Sequence, residues 1–260
     1  MKTVRASSEL LPQMKTLWYE CFSDKEDYVN QYFAHFGTEN GLLLFAEDRL
    51  CAMVQWIPVQ YIQSDGEEQC GAYLYAVCTA SGFRNRGCCR LLLAEAERLL
   101  KAEGTDFAFL RPGSAVLAEM YRKFGYAMTL TNSEDNVSAQ IQAGTVVKTI
   151  PPEAYLQYRQ MLLWEDFIDW QLPAIRHQAA QGELLTLTQA ERFAVAAVER
   201  TEDDVFIKEY LGDLSLAGAI PAKYGAEKAK LRTMGQTPFA MAKALTGKPL
   251  PAGYPGFVFD

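Results

Sequence analysis

The chain has 260 residues, of which 49% are hydrophobic and 22% are charged, and its formal net charge is −7 at pH 7. That composition predicts a globular protein with a substantial core, long enough for one large domain or two of ordinary size. The acidic balance and the lack of any apolar run near the roughly 20 residues that cross a bilayer argue against nucleic-acid and membrane partners, and the start, MKTVRASSEL, lacks the apolar segment of a signal peptide, so we expect a cytoplasmic protein.

The first part of the chain alternates strand and helix patterns. KTVRA is short and strand-like, and LLPQMKTLWYECF and KEDYVNQYFAHF carry apolar residues at helical spacing. Three strands are predicted next, GLLLFAE, LCAMVQWIPVQYI and GAYLYAVCT, with QSDGEEQ as the turn between the last two. The strand at 71–79 is apolar on both faces, so we expect it to lie centrally in a sheet that is covered on both sides.

An amphipathic helix follows in RGCCRLLLAEAERLLKAEG. From Cys89 to Leu100 its apolar residues recur at steps of three and four, and Gly104 is typical of a helix end. DFAFL then predicts a strand, and SAVLAEMYRKFG predicts another helix that ends at Gly125.

The second part of the chain repeats this order with weaker patterns. GTVVKTI predicts a strand and PPEAYLQYRQML a helix, and WEDFIDWQLPAI looks helical up to Pro173. Three strands follow, ELLTLT, RFAVAAVER and DVFIKEYLG, the last two joined by the turn TEDD. The helix-like LSLAGAIPAKYG, the strand KLRT, the helix PFAMAKAL and a closing strand GFVFD come next. We therefore expect a duplicated fold with a boundary in the polar TNSEDNVSAQ, giving domains at 1–135 and 136–260.

The cysteines and histidines predict no metal site. All six cysteines lie within residues 1–90, without a CxxC or a His-paired metal spacing, and the chain has only two histidines. Reduced thiols that serve as small core residues are the favoured interpretation.

The stretch FRNRGCC stands where the central strand meets the next helix. The first N–H groups of a helix have no internal partner and the helix dipole is positive there, so such a start can bind an anion. Gly87 allows close approach of the backbone, and Arg84 and Arg86 add positive charge. Taken alone, the cluster could equally be a basic turn without a ligand.

Two motifs resemble those of the GNAT superfamily of N-acetyltransferases. AVCTASGFRNRGCCRLLL is similar to the family's motif A, whose loop reads Gln/Arg-x-x-Gly-x-Gly/Ala, and AEMYRKFGYA is similar to its motif B. The resemblance spans about residues 71–127. The loop is matched by Arg84, Asn85, Arg86, Gly87 and Cys88, with Cys89 where the family usually has Gly or Ala.

This resemblance implies a fold and an activity. The fold would be a mixed α/β sheet protein with two GNAT-like domains in tandem, each a twisted, mostly antiparallel sheet flanked by helices. The activity would be transfer of an acetyl group from acetyl-CoA to a primary amine of a small molecule or peptide by direct attack. The second domain lacks the loop signature, since only Gly212 is present there and Asp213 would repel a phosphate, so its implied role is to shape the acceptor site.

The resemblance also implies roles for individual residues. Backbone groups of Val77, Cys78 and Thr79 would pair with the pantetheine arm, and N–H groups from Arg84 to Cys89 would hold the pyrophosphate. Tyr121 matches the tyrosine that protonates the departing thiolate. Ser114 stands where the family often has Asn, and the strand at 71–79 carries no carboxylate that could act as a base.

Several alternatives remain open. Tyr121 also lies on the apolar stripe of its helix and could be a core residue, and Cys78 could accept the acetyl group covalently, although a buried small residue is favoured. The base could be a water or a group from the second domain. A non-catalytic CoA-binding or partner-binding module, or a tandem-GNAT aminoacyl transferase that uses aminoacyl-tRNA, are the competing functions.

Overall fold

The computed structural model describes residues 1–201 and 204–259. Two compact units divide the chain, the first formed by Met1–Gln60, Gln69–Met128 and Met241–Pro251, and the second by Tyr61–Glu68, Thr129–Ala240 and Ala252–Asp260. Each unit thus takes segments from both parts of the chain, whereas the predicted domains 1–135 and 136–260 are uninterrupted. That domain assignment stays a prediction.

The elements follow one another along the chain. The strands are β1 (Lys2–Arg5), β2 (Gly41–Ala46), β3 (Arg49–Ile62), β4 (Glu68–Thr79), β5 (Phe107–Leu110), β6 (Ala127–Ser138), β7 (Val146–Thr149), β8 (Phe167–Trp170), β9 (Gly182–Gln189), β10 (Arg192–Arg200), β11 (Val205–Gly212) and β12 (Lys228–Ala244). The helices are α1 (Leu11–Cys21), α2 (Glu26–Phe36), α3 (Cys88–Ala102), α4 (Ala115–Lys123), α5 (Pro152–Leu162), α6 (Leu172–Gln181) and α7 (Ala219–Lys223).

In the first unit the strands lie in the order β1-β2-β3-β4-β5, followed by residues 241–244 of β12. Neighbours β1 and β2, β2 and β3, and β5 and the β12 segment are antiparallel, whereas β4 and β5 are parallel. Central placement of β4, as expected from its two apolar faces, is confirmed.

Both faces of this sheet are covered. On one face, Leu92 and Leu93 of α3 pack in a cluster with Leu74 of β4 and Leu110 of β5. On the other, aromatic rings of α1 and α2 contact Tyr75 of β4, with ring centroids 5.8 Å apart for Trp18 and Tyr75 and 5.3 Å apart for Tyr32 and Tyr75.

The parallel pairing of β4 with β5 is short. It joins Gly71–Tyr73 to Phe107–Phe109, and residues 74–79 of β4 continue past it. Ala76 has a φ of 48°, a left-handed conformation that a residue with a Cβ adopts only at a cost. The regular pleat of β4 is therefore interrupted at Ala76, within the stretch that no longer pairs with β5.

The second unit repeats this plan. Strands β7, β9, β10 and β11 form an antiparallel series in that order, and β11 then pairs in parallel with β12 through Phe206 and Ile207. The predicted fold class, a mixed sheet with helices built twice in one chain, is confirmed.

Two predicted helices are wrong. In WEDFIDWQLPAI, residues Phe167–Trp170 form β8, and α6 begins only at Leu172, with Pro173 in its first turn. A proline there is compatible with a helix start, because its missing N–H has no helical partner in any case. PFAMAKAL belongs to β12, where Met241 pairs with Leu110 of β5; strand pairing overrides the helix propensity of its alanines and leucine.

The predicted closing strand also differs from the structure, and the polar segment in which the boundary was predicted is mostly strand. TNSEDNVSAQ mostly continues β6, where Thr131 donates through its N–H to Gly253 O at 2.8 Å and through its hydroxyl to Gly235 O at 2.7 Å. Residues 257–259 of GFVFD are buried but form no strand. Glu202 and Asp203 of the predicted TEDD turn, and Asp260, lie outside the described residues.

The core of the second unit contains a buried ion pair. Arg159 of α5 and Glu209 of β11 are both 0% exposed, and Arg159 Nε lies 3.0 Å from Glu209 Oε2. Arg159 also contacts Asp169 Oδ1 at 3.3 Å and donates to Ile168 O at 2.9 Å. Tyr155 donates its hydroxyl to Glu209 at 2.8 Å.

Removing the arginine from this pair should destabilise the protein strongly. In Arg159→Met, Glu209 stays buried without its cation, which costs about 3–5 kcal/mol. The matched control is Arg176→Ala, because the Arg176–Glu153 pair is exposed (side chains 53% and 51%) and should contribute less than about 1 kcal/mol. Urea unfolding followed by tryptophan fluorescence measures both variants, and equal midpoints for the two would contradict the prediction.

Candidate active site

The loop between β4 and α3 contains two left-handed residues. After a short 3-10 turn at Ser81–Phe83, Asn85 has a φ of 60° and Gly87 a φ of 78°. A Cβ at Gly87 would meet no atom within 4 Å, so the glycine is required by its backbone conformation and not by crowding. Open space therefore lies in front of Gly87.

The start of α3 has the features of an anion site. Gly87 is the N-cap residue and provides no side-chain acceptor, and no acidic residue lies in the first turn. The first backbone bond into the helix runs from Leu91 N to Gly87 O at 3.0 Å, so the N–H groups of Cys88, Cys89 and Arg90 precede the helical pattern. These donors, with the positive end of the helix dipole, favour a bound anion.

This helix start opens onto a pocket of about 580 Å³. Its walls come from the end of β4, the following loop, the first turn of α3 and the facing side of α4. Nine of the ten residues predicted for the site line it, namely Val77, Cys78, Thr79, Arg84, Asn85, Gly87, Cys88, Cys89 and Tyr121. The structure thus brings them together, while their individual roles stay predictions.

Arg86 lies apart from the other predicted residues. Its guanidinium lies 5.6 Å from the centre of the Phe83 ring, and that of Arg49 lies 5.7 Å from the same centre. Both arginines line a second concavity of about 780 Å³. Arg84, in contrast, lines the first pocket and donates from Nε to Thr79 O at 3.1 Å.

Backbone donors of the loop are partly engaged by the loop itself. The N–H of Arg84 points to Ser81 O at 3.4 Å, closing the 3-10 turn. The prediction that donors begin at Arg84 therefore includes one N–H that already has an acceptor.

Tyr121 belongs both to the core and to the pocket. It is 6% exposed and packs edge-on against Tyr126, with ring centroids 5.9 Å apart. It also lines the pocket wall on α4. Burial raises the pKa of the Tyr121 hydroxyl, so the group stays protonated near neutral pH and is suited to donate a proton.

Ser114 has a structural role at the start of α4. Its hydroxyl accepts a hydrogen bond from Leu117 N at 3.2 Å, which caps the helix. The serine therefore positions the helix that carries Tyr121.

Several pocket residues were not identified from the sequence. Cys21 and Phe22 enter the pocket from the end of α1, and Leu117, Met120 and Phe124 enter it from α4. Helical spacing shows which face of α1 is apolar, but it does not show that the end of this helix meets β4.

The corresponding turn in the second unit is occupied by the chain itself. Asp213 follows β11, and its carboxylate accepts from Ser215 N at 2.9 Å and from Ser215 Oγ at 2.6 Å. Gly218, the N-cap of α7, accepts from Gln140 N at 2.9 Å, and a Cβ on Gly218 would lie 2.9 Å from Ser138 O. A carboxylate and a backbone segment thus stand where the first unit has open space.

Comparisons with known proteins define the class. Residues 3–129 match the family model of the acetyltransferase (GNAT) domain. Curated protein sequences contain no match to the chain.

Solved structures show the same fold. A GCN5-related N-acetyltransferase from Anabaena variabilis superimposes with a TM-score of 0.75 at 16% identity, over 94% of this chain and 73% of that one. A protein of unknown function from Enterococcus faecalis, described as a probable N-acyltransferase, gives 0.74 at 12% identity, over 94% and 72%. A tandem GNAT protein from the clavulanic acid biosynthesis pathway gives 0.53 at 11% identity, over 95% and 99%.

The fold is that of the acetyltransferases with which the chain superimposes. More particularly, residues 3–129 match the acetyltransferase (GNAT) domain, and the fold over nearly all of the chain is shared with a tandem GNAT protein. The family resemblance read from FRNRGCC and AEMYRKFGYA is confirmed. No helix in the part of the chain that the structure describes has both the length and the hydropathy to span a bilayer.

Proposed function

We propose that the protein is an acetyl-CoA-dependent N-acetyltransferase that acts on a primary amine of a small molecule or peptide. One observation carries the proposal. A single pocket is lined by the end of β4 that no longer pairs with β5, by the uncapped start of α3 and by the protonated Tyr121.

The residues of this pocket suit the two chemical parts of acetyl-CoA. Residues 77–79 of β4 lie past the pairing with β5, so their backbone can bind the amide groups of a pantetheine arm. The N–H groups at the start of α3 suit a pyrophosphate, and Arg84 adds a cation beside them. No Asp or Glu lines the pocket among the described residues, so no carboxylate there opposes a phosphate.

Acyl transfer requires stabilisation of a developing oxyanion and movement of two protons. A backbone N–H of β4 next to the left-handed Ala76 is the donor that we assign to the oxyanion. Tyr121 is the group that we assign as proton donor for the departing sulfur, because it lines the pocket and is protonated near neutral pH. Acetyl-CoA itself supplies the activated thioester.

The base that removes the proton of the acceptor amine is not a carboxylate of the pocket lining. Because the lining of the pocket lacks a carboxylate in the described residues, we assign removal of the amine proton to a water. For the second unit, whose corresponding turn is filled by the Asp213 carboxylate, we propose a role in acceptor recognition and not in cofactor binding.

The charge at the start of α3 should determine whether acetyl-CoA binds. In Gly87→Glu a carboxylate and a strained backbone stand where the pyrophosphate would bind, so affinity for acetyl-CoA should fall by at least about 100-fold. Gly104→Glu is the matched control, since Gly104 follows the opposite end of α3, has a φ of 87° and likewise faces open space.

Calorimetric titration with acetyl-CoA measures both variants. Micromolar binding by wild type and Gly104→Glu, lost in Gly87→Glu, is the expected result. Equal binding by the two variants, or no binding by wild type, would refute the assignment of the loop.

The two arginines of the loop should differ in their contributions. Arg84→Ala removes a cation that lines the pocket and should weaken acetyl-CoA binding about tenfold, whereas Arg86→Ala should change it by less than about twofold because Arg86 faces the second concavity. Comparing the two dissociation constants at one ionic strength tests this, and a larger loss in Arg86→Ala would reverse the assignment.

Tyr121→Phe should separate catalysis from binding. Loss of the proton donor should lower kcat by about 100-fold while the KM for acetyl-CoA stays the same. Tyr126→Phe is the control, because Tyr126 contacts Tyr121 but donates its hydroxyl to Glu97 at 2.9 Å, away from the pocket lining.

The assay follows loss of thioester absorbance with a panel of primary amines. If Tyr121→Phe turned over as fast as wild type, Tyr121 would be a core residue and not the acid. If wild type bound acetyl-CoA but transferred nothing to any amine, a non-catalytic CoA-binding module would replace the proposal.

A further inference from the structure

The second concavity, of about 780 Å³, lies apart from the pocket to which acetyl-CoA binding is assigned. Its walls come mainly from the end of α1, the turn between β2 and β3 and the 3-10 turn of the β4–α3 loop. Phe83 is the one described residue that lines both spaces. The acyl transfer proposed above does not use the second space, so a ligand in it would have a role of its own.

Two arginines from different elements converge in this concavity. Arg49 is the first residue of β3, and Arg86 precedes the N-cap of α3. Their guanidinium carbons lie 5.7 and 5.6 Å from the centre of the Phe83 ring. Both residues are exposed, and in the part of the chain that the structure describes neither guanidinium donates a hydrogen bond or forms an ion pair. A guanidinium that packs over a ring keeps the N–H donors at its edge, so both can bind a carboxylate.

The same concavity also carries negative charge, because Glu20 and Glu47 line it. Glu20 Oε1 accepts from Ser81 N at 2.6 Å, which fixes this carboxylate against the 3-10 turn. Glu47 and Asp48 join β2 to β3 with φ values of 51° and 61°, a left-handed conformation that costs free energy in residues with a Cβ. This tight turn holds Glu47 two positions from Arg49 at the start of β3.

The charges of the two spaces differ. Arg84 and Arg90 line the first pocket, and among the described residues no carboxylate does. In the second, two carboxylates accompany the two guanidiniums. A phosphate dianion is therefore suited to the first space and would be repelled by Glu20 and Glu47 in the second. A ligand with one group of each sign satisfies the second set of charges.

We propose that the second concavity binds a free α-amino acid as a zwitterion. Arg49 and Arg86 donate to its carboxylate, and Glu47 and Glu20 accept from its ammonium. The binding is independent of the proposed function, because none of these four side chains lines the first pocket.

The spacing of the charged side chains suits this class of ligand. An α-amino acid carries its carboxylate and its ammonium on one carbon, so the groups that bind them must lie close together. Glu47 and Arg49 meet this condition, since they are two positions apart beside the β2–β3 turn. Arg86 comes from the β4–α3 loop and contacts the same ring as Arg49, so the carboxylate would lie between two guanidinium groups. Such charge-assisted hydrogen bonds are stronger than neutral ones.

The first test measures binding to the full-length protein. The common L-amino acids are screened at millimolar concentration for a rise in the thermal unfolding midpoint, and the one that raises it most is titrated by calorimetry. Its amide lacks the carboxylate and its N-acetyl form lacks the ammonium, so each should bind at least about tenfold more weakly. If no amino acid binds, or if either derivative binds as tightly as the amino acid, the proposal is wrong.

Variants locate the bound amino acid. Arg49→Ala and Arg86→Ala should each weaken its binding about tenfold, and Glu47→Gln should weaken it about threefold. Arg98→Ala is the matched control, because Arg98 is an exposed arginine of α3 that lines neither space. Wild-type affinity in both Arg49→Ala and Arg86→Ala would overturn the assignment, and the comparison of derivatives on wild type decides it if a variant does not fold.

Coenzyme A separates this site from the first pocket. It has no acetyl group to transfer, so the amino acid can be titrated into protein saturated with it. The affinity for the amino acid should stay within about threefold of its value without coenzyme A, since the two spaces share only Phe83. Loss of binding would mean that the amino acid occupies the first pocket and would overturn the proposal. If wild type binds neither acetyl-CoA nor coenzyme A, the proposed function fails, while the variants still test the second site.

Discussion

Two parallel strands that stop pairing leave backbone N–H and C=O groups that need other partners. In the first unit this occurs after Tyr73, where β4 continues through residues 74–79 beyond its register with β5. The left-handed Ala76 lies within this stretch. Because β5 no longer lies beside this end of β4, residues 77–79 form one wall of the pocket whose other wall carries Tyr121.

The two units show how one architecture can carry opposite electrostatics. Both continue an antiparallel series into a short parallel pair and then turn into a helix. In the first unit the turn ends in an uncapped, open Gly87 beside Arg84. In the second, the Asp213 carboxylate accepts from the N–H and the hydroxyl of Ser215, and residues 138–140 cover Gly218. The sign of one side chain and the path of one segment distinguish an anion site from a filled turn.

Local patterns predicted the parts of this molecule that local interactions determine. The two apolar faces of β4, the stripe of α3 and the glycine of the loop follow from residue spacing, and the two family motifs together identified nine residues that do share one pocket. The direction of the Arg86 side chain could not be predicted, because it depends on the Phe83 ring and on Arg49 from a distant hairpin. Cys21 and the strand conformation of residues 238–244 depend on long-range pairing that spacing does not report.

One strand sets the order in which the chain can be completed. Residues 241–244 pair with β5 and close the edge of the first unit's sheet, although they follow almost the whole second unit in the chain. During synthesis on the ribosome, one edge of β5 therefore stays unpaired until residues 241–244 have been made. Exposed strand edges are templates for wrong pairing. For most of translation the sheet of the first unit therefore lacks its last strand segment, and a protein shortened at residue 135 would keep that edge open permanently.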